Sequence, residues 1–314
     1  MKNTKRELKA NWTLYLSPRP DAWEIEPVVD GHNAWRNDPA AIAKIEVPQS
    51  VPATVPGCIH TDLIAAGVIK DISINGKEQD QFWIWKTDSR YTATIPADTS
   101  DGKKELIFNG LDTLARISIN GKLRLTTKNM HRSYRLDISS EISSGPVEIE
   151  IAFKAPLTDA EENVESLGLY PRPYDMPYNY QRKMACSYGW DWGPITISSG
   201  IWKKIEIHSW SAAYCDNVAI TPNLEKGTPV FDLDATVVST SGGISAQLTV
   251  TSSDSGEVVL SEKLAVTNNR VSGKFTVPDA KVWHPRGRGA QPLYFVEISL
   301  LAEDGELLEK YSKR

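Results

Sequence analysis

A chain of 314 residues, 40% hydrophobic and 24% charged, has the apolar content for a real core and the length for two domains. Its formal charge of −5, from 35 basic and 40 acidic residues without long runs of one sign, argues against a nucleic-acid or anionic-membrane partner. No apolar run approaches the length of a membrane span, and the charged segment Met1 to Trp12 lacks the apolar stretch of a signal peptide.

Taken in order, Trp12-Thr13-Leu14-Tyr15-Leu16 reads as the first strand, and residues 18–50, rich in Pro, Asp and Asn, as a long ordered loop or insertion. Between Val55 and Gly67 the apolar spacing changes to that of a short helix, with Gly67 as its stop. Gln81-Phe82-Trp83-Ile84-Trp85 is aromatic enough to pack beneath a sheet. Tyr91 to Ile95, Glu105 to Phe108 and Leu114 to Ile119 alternate as strands, and Asn120-Gly121 predicts a type I′ hairpin turn. Val147 to Phe153 is a half-buried strand, Leu157 to Leu167 the one substantial helix, and Ile195 to Ile197 with Trp202 to Ile207 close the sheet.

Near residue 210 the composition becomes rich in Thr, Ser and Val. Strand-sized segments then recur at intervals of about 10 to 13 residues: Phe231 to Val238, Ile244 to Thr251, Val258 to Val266, Val271 to Val277 and Leu293 to Leu300. The expectation is an all-β protein. A jelly-roll (galactose-binding-like) β-sandwich over residues 1–211 precedes an immunoglobulin-like β-sandwich over 212–314. Cys58, Cys186 and Cys215 are odd in number and widely spaced, as reduced thiols of a cytoplasmic protein would be, although the count alone does not forbid a disulfide elsewhere.

The chemistry concentrates in Arg182-Lys183-Met184-Ala185-Cys186-Ser187-Tyr188-Gly189-Trp190-Asp191-Trp192-Gly193-Pro194. An indole covers the apolar face of a pyranose, and an ionised carboxylate accepts hydrogen bonds from adjacent hydroxyls, so Trp190 and Asp191 together suit a sugar. Spacing alone favours two core tryptophans around a turn aspartate, since most aromatics of a β-rich chain are core. Strand alternation would put Trp190 and Trp192 on one face and Asp191 on the other. The five histidines, His32, His60, His131, His208 and His284, stand at no metal-ligand spacing. There is also no nucleophile elbow, P-loop or dinucleotide fingerprint, so neither metal nor cofactor is expected.

The stretch 182–194, with Ser199-Gly200-Ile201-Trp202 after it, resembles the N-terminal domain of β-mannosidases of glycoside hydrolase family 2. Corroborating matches are Val55-Pro56-Gly57-Cys58-Ile59-His60-Thr61-Asp62-Leu63, Asn109-Gly110-Leu111-Asp112-Thr113, Asn129-Met130-His131-Arg132 and Tyr170-Pro171-Arg172-Pro173-Tyr174-Asp175. Val282 to Gly287 and Gln291 to Tyr294 are similar to the second domain of that family. The resemblance implies retaining hydrolysis of terminal, non-reducing β-D-mannosyl residues of a β-mannoside or manno-oligosaccharide. Two glutamates of a TIM barrel would do the chemistry; that barrel would follow in the same chain and needs about 250 residues of its own. It further implies that Asp191 accepts sugar hydroxyls away from the anomeric carbon and that Trp190 is its aromatic partner. Arg182 becomes a hydroxyl donor or an ion pair to Asp191, and Trp192 a further contact or a structural residue. The alternative expectations are an autonomous carbohydrate-binding module without hydrolase activity and a ligand-free pair of sandwiches.

Overall fold

The computed structural model describes residues 3–23, 45–73, 79–174, 176–189, 193–240, 242–277 and 279–314. Strand-length segments with period-two burial dominate it. In the first unit these are β1 (Thr4–Glu7), β2 (Trp12–Pro18), β3 (Ser50–Ala53), β4 (Thr87–Ile95), β5 (Lys103–Phe108), β6 (Leu114–Ile119), β7 (Lys122–Lys128), β8 (Tyr134–Asp137), β9 (Val147–Phe153) and β10 (Ile205–Trp210). Three helices intervene: α1 (Ile59–Ala65), α2 (Ser139–Ser144) and α3 (Pro156–Leu167). The strands form a six-stranded sheet, β3-β2-β4-β9-β6-β7, and a four-stranded sheet, β1-β10-β5-β8. The pairings among the described strands of the larger sheet are antiparallel, so each strand can bury one face and leave the other to solvent.

Alternation decides which side chains make the core. Val147, Ile149, Ile151 and Phe153 of β9 are buried, and so are Trp12, Leu14 and Leu16 of β2 and Tyr91, Ala93 and Ile95 of β4. They pack with Leu106, Phe108, Leu136, Ile205 and Ile207 of the smaller sheet in one cluster. Asn120 and Gly121, at φ 50° and 75°, make the left-handed turn between β6 and β7 that their sequence predicts. The turn Gln79–Lys86 buries Phe82, Trp83, Ile84 and Trp85 almost completely. Trp83 and Ile84 join the main core, whereas Phe82 and Trp85 belong to a second cluster with Leu157, Met176, Tyr188 and Ile197.

The second unit comprises β11 (Ala213–Glu225), β12 (Thr228–Ser239), β13 (Ser245–Ser252), β14 (Val258–Ala265), β15 (Arg270–Thr276), β16 (Tyr294–Leu301) and β17 (Leu307–Lys313). They form sheets β11-β12-β15 and β14-β13-β16-β17. Phe231, Leu233, Ala235 and Val237 pack with Leu248, Val250, Ile298 and Leu300, and Phe231 meets Phe275 at 5.3 Å between ring centroids. The all-β, two-sandwich expectation holds. The two compact units part between His208 and Ser209, with Met1–Thr4 and Asp101–Lys103 grouping with the second.

Several details differ from the sequence reading, among them the unmarked short strands β3 and β8 and helix α2. The first strand is β1, whose Thr-Lys-Arg-Glu sequence is mostly exposed and carries no apolar alternation to announce it. Ile195 to Ile197 is irregular, because Thr196 N–H bonds Ser187 O at 3.0 Å rather than a neighbouring strand. The closing strand consequently begins at Ile205 rather than Trp202. β11 and β17 were unmarked, since the outer two-thirds of β11 and most of β17 stay accessible. Much of the predicted 18–50 loop lies outside the described residues. Among those described, no helix is long and apolar enough to cross a membrane.

Candidate functional site

Between Gly168 and Ser199 the described chain has no strand, and side chains take over the role of a hydrogen-bond ladder. Tyr170 stacks on Tyr180 and Tyr174 on Tyr178, each pair with centroids 5.1 Å apart. The Tyr180 hydroxyl accepts the Tyr170 N–H at 2.6 Å. Buried Tyr188 donates its hydroxyl to Gln181 Oε1 at 2.6 Å, and Gln181 Nε2 donates to Asp159 Oδ2 and Pro156 O, both at 2.9 Å. The segment is thereby tied to the start of α3. Burial first, then the charges of Asp112 and Asp159, hold the Tyr188 phenol well above its ordinary pKa. Burial also pushes Tyr174 up to about 12, so both act as neutral hydrogen-bonding and packing groups at neutral pH.

The other family-like stretches converge on the same region. Ile59 N–H bonds Ser199 O and Gly57 N–H bonds Ile201 O, both at 2.9 Å, which sets α1 against the outgoing end of the loop. Asp112 and Gly200 exchange both backbone hydrogen bonds at 2.9 Å. Met130 N–H bonds Arg182 O at 3.0 Å, Met184 N–H meets Met130 Sδ at 3.1 Å, and Trp202 Nε1 donates to Met130 O at 3.1 Å. Stretches up to about 140 residues apart in sequence therefore share one scaffold around residues 182–202.

At its centre the Lys183 ammonium, wholly shielded from solvent, donates to Asp112 Oδ2 and, at 2.7 Å, to Ser198 O. Thr113 donates its hydroxyl to the other oxygen of Asp112. Beside this pair His60 Nδ1 lies 3.0 Å from Ser198 Oγ. Burial, reinforced by the Lys183 charge, lowers the His60 pKa to about 4, so the ring is neutral at pH 7. Two residues further on, buried Asp62 accepts Thr54 N–H at 2.8 Å and the Tyr91 hydroxyl at 3.2 Å. Burial outweighs both bonds and raises its pKa to about 6.

Of the residues singled out from sequence, Trp190, Asp191 and Trp192 lie outside the described residues. Their flanks are defined. Gly189 has φ +85°, and a Cβ there would come within 2.4 Å of Ile195 Cγ1, so only glycine lets the two flanks approach this closely. The Arg182 side chain is exposed and makes no ion pair among the described residues; its backbone carbonyl holds Met130. Lys183, not Arg182, carries the buried charge. Sequence reasoning missed it and Asp112, although both sit inside stretches already marked, because a pairing across 71 residues leaves no local signal.

The described carboxylates around the loop are all engaged. Asp112 neutralises Lys183, Asp62 accepts two hydrogen bonds, and Asp159 is held by Lys154, Asn163 and Gln181. What the arrangement does is tie the described flanks, 182–189 and 193–200, to α1, to Asp112 and to the start of α3.

A tandem of β-sandwiches, the first carrying a strand-free segment whose described flanks are tied down by Lys183, Asp112 and Gln181, is the class that fold and site define. The family model described as "Glycosyl hydrolase 2 galactose-binding domain-like" matches residues 32–203, and that described as "Glycosyl hydrolases family 2" matches 213–314. The chain belongs to glycosyl hydrolase family 2. Beta-mannosidase of Bos taurus is 29% identical over 289 residues, and Beta-mannosidase B of Emericella nidulans 31% over 278; each match takes in 84% of this chain and 32% of the relative. The crystal structure of Beta-D-Mannosidase from Dictyoglomus thermophilum aligns with all of this chain and 36% of its own, with a TM-score of 0.77 and 25% identity. The chain thus spans about a third of the length of the curated relatives it matches.

Proposed function

We propose that this chain is the N-terminal part of a retaining β-mannosidase that hydrolyses terminal non-reducing β-D-mannosyl residues. It supplies sugar contacts and scaffold, and a TIM barrel in the same polypeptide supplies the catalytic glutamates. The observation that carries the reading is the pattern of coverage: beta-mannosidases match 84% of this chain through only 32% of their own length. Asp191 accepts substrate hydroxyls, Trp190 covers a sugar face, and Arg182 and Trp192 are further contacts on that loop. Its two domains are 1–211 and 212–314, and its compartment is the cytoplasm, a placing supported by three free thiols at Cys58, Cys186 and Cys215.

The test is turnover of a chromogenic β-mannoside. The 314-residue chain should be inactive and the barrel-bearing protein active. Turnover that copurifies with the 314-residue chain and survives Asp191→Ala would overturn both the role and the division of labour. Mannoside binding by a protein whose barrel-bearing form has no hydrolase activity would instead favour an autonomous carbohydrate-binding module.

A further inference from the structure

Across the outer face of the six-stranded sheet one row of side chains runs through five strands. Tyr15 of β2 pairs with Arg90 of β4, Arg90 with Ala152 of β9, Ala152 with Arg116 of β6, and Arg116 with Thr126 of β7. Directly paired residues share a face, and the alternate residues Leu14, Tyr91, Ile151 and Ile117 are buried on the other. Ala152 therefore leaves a hollow between two arginines whose backbones stand two strands, or about 10 Å, apart. The hollow belongs to a trough of about 720 Å³ that also takes in the aliphatic Leu114 and the hydroxyls of Ser17 and Thr126.

Five cations and one carboxylate line this trough, in a chain whose net charge is −5. Three of the cations are compensated. Arg19 meets Asp88 at 3.2 Å, the Lys154 ammonium turns to Asp159 at 3.0 Å and to Glu162, and Arg90 Nη1 donates to Glu150 at 2.9 Å. Arg116 and Lys128 are exposed and make no ion pair among the described residues. Arg90 is held ready, its guanidinium 4.4 Å from the centroid of the Tyr15 ring. Among the described residues Glu150 engages its Nη1 alone, so further N–H donors remain.

We propose that this trough binds a saccharide bearing a carboxylate, a uronic-acid unit, with Arg116 and Arg90 taking the carboxylate above Ala152 and Lys128 adding a third positive charge. Two cations without counter-ions call for an anion, and a carboxylate matches the planar fork of a guanidinium. The space exceeds what a lone inorganic anion fills and lies within the range of small-ligand sites. Ala152 and Leu114 suit the C–H face of a sugar ring, while Ser17 and Thr126 can exchange hydrogen bonds with its hydroxyls. The row itself is carried on paired strands, so its spacing exists before the ligand arrives and little ordering is required. A long polyanion is disfavoured, because the chain as a whole is negative.

The probe is trigalacturonate, titrated by calorimetry into the 314-residue chain beside its uncharged methyl ester. The acid should bind with a Kd of about 1 mM or tighter at low salt, and the ester at least about tenfold more weakly. Raising salt from about 50 to about 500 mM should weaken binding of the acid severalfold. Arg116→Ala should weaken it about tenfold, and Ala152→Glu, which sets a carboxylate where the ligand's would lie, should abolish it. Neither should lower the melting temperature, since both side chains face away from the core. Equal binding of the ester, or wild-type affinity in a folded Arg116→Ala protein, would overturn the proposal. No heat of binding at about 10 mM trigalacturonate would do the same. Equal affinity for inorganic phosphate would reduce the trough to a general anion surface, and equal affinity for triglutamate would make it an acidic-peptide site; either result rejects the saccharide.

Discussion

His60 and Asp62 sit two residues apart on α1, both buried, with pKa values displaced in opposite directions. His60 titrates at about 6.5 when unfolded and about 4 when folded, so over that interval the unfolded chain carries a proton that the folded chain lacks. Stability therefore rises with pH through the interval. The contribution is complete above about pH 6.5, is lost as pH falls towards 4, and amounts to about 3 kcal/mol at roughly 1.4 kcal/mol per unit. Asp62 does the reverse: its folded carboxyl holds a proton up to about pH 6, whereas the unfolded one releases it near 3.8. Its contribution falls as pH rises from 3.8 to 6, and it is no larger because the carboxylate keeps two hydrogen-bond donors. The two slopes oppose each other between about pH 4 and 6. Urea unfolding at half-unit steps from pH 4 to 7.5 separates them, read by tryptophan emission, to which the first unit contributes eight of the ten indoles by Trp202. His60→Gln should lose the rising component, and Asp62→Asn should lose the falling one and gain stability relative to wild type as pH rises from 4 to 6. Carboxylates held low by partners, such as Asp21 beside Lys86 and Asp98 beside Ser100, add a rising slope common to all three proteins, which cancels in the differences. A His60→Gln difference that stays flat from pH 4 to 6.5 would refute the account of a neutral imidazole buried beside Lys183.

Two further outcomes follow from the loop. In the barrel-bearing protein Asp191→Asn should lower kcat/KM by about one to two decades, the worth of one charged acceptor at about 1.5 to 3 kcal/mol, without altering the melting temperature; unfolding of that variant would mark Asp191 as a turn residue. Gly189→Ala in the 314-residue chain should cost about 1 to 3 kcal/mol by thermal or urea unfolding, because the methyl meets Ile195 and the backbone stays at φ +85°; a neutral result would mean that Ile195 gives way freely.

Much of the fold was legible because its determinants are local. In Val147 to Phe153 every second residue is buried, and in Asn120-Gly121 both residues adopt the left-handed backbone their types favour. Strands escaped notice where exposure erases alternation, as in β1 and the distal part of β11, which gain their conformation from pairing rather than from an apolar face. The cluster Gln81 to Trp85 read correctly as buried. That it divides between two cores, with Trp85 beneath the loop, depends on contacts with Leu157, Tyr188 and Ile197 that no local pattern encodes.

The site shows the same division between residue type and partnership. Its stretches could be marked, since glycines, prolines and clustered aromatics are uncommon in plain strand sequence. Which neighbouring cation turns inward could not. Arg182 and Lys183 are adjacent, so only one side chain can follow the backbone into the protein, and the slot there ends in a single carboxylate oxygen and a single carbonyl. A compact ammonium with rotatable donors satisfies two acceptors in that arrangement, while a planar guanidinium requires a wider space to place its five N–H groups. Burying the lysine lets its neighbour stay exposed, with the Arg182 carbonyl held by Met130. The buried charge and the exposed one are thus different residues, and only their partners distinguish them.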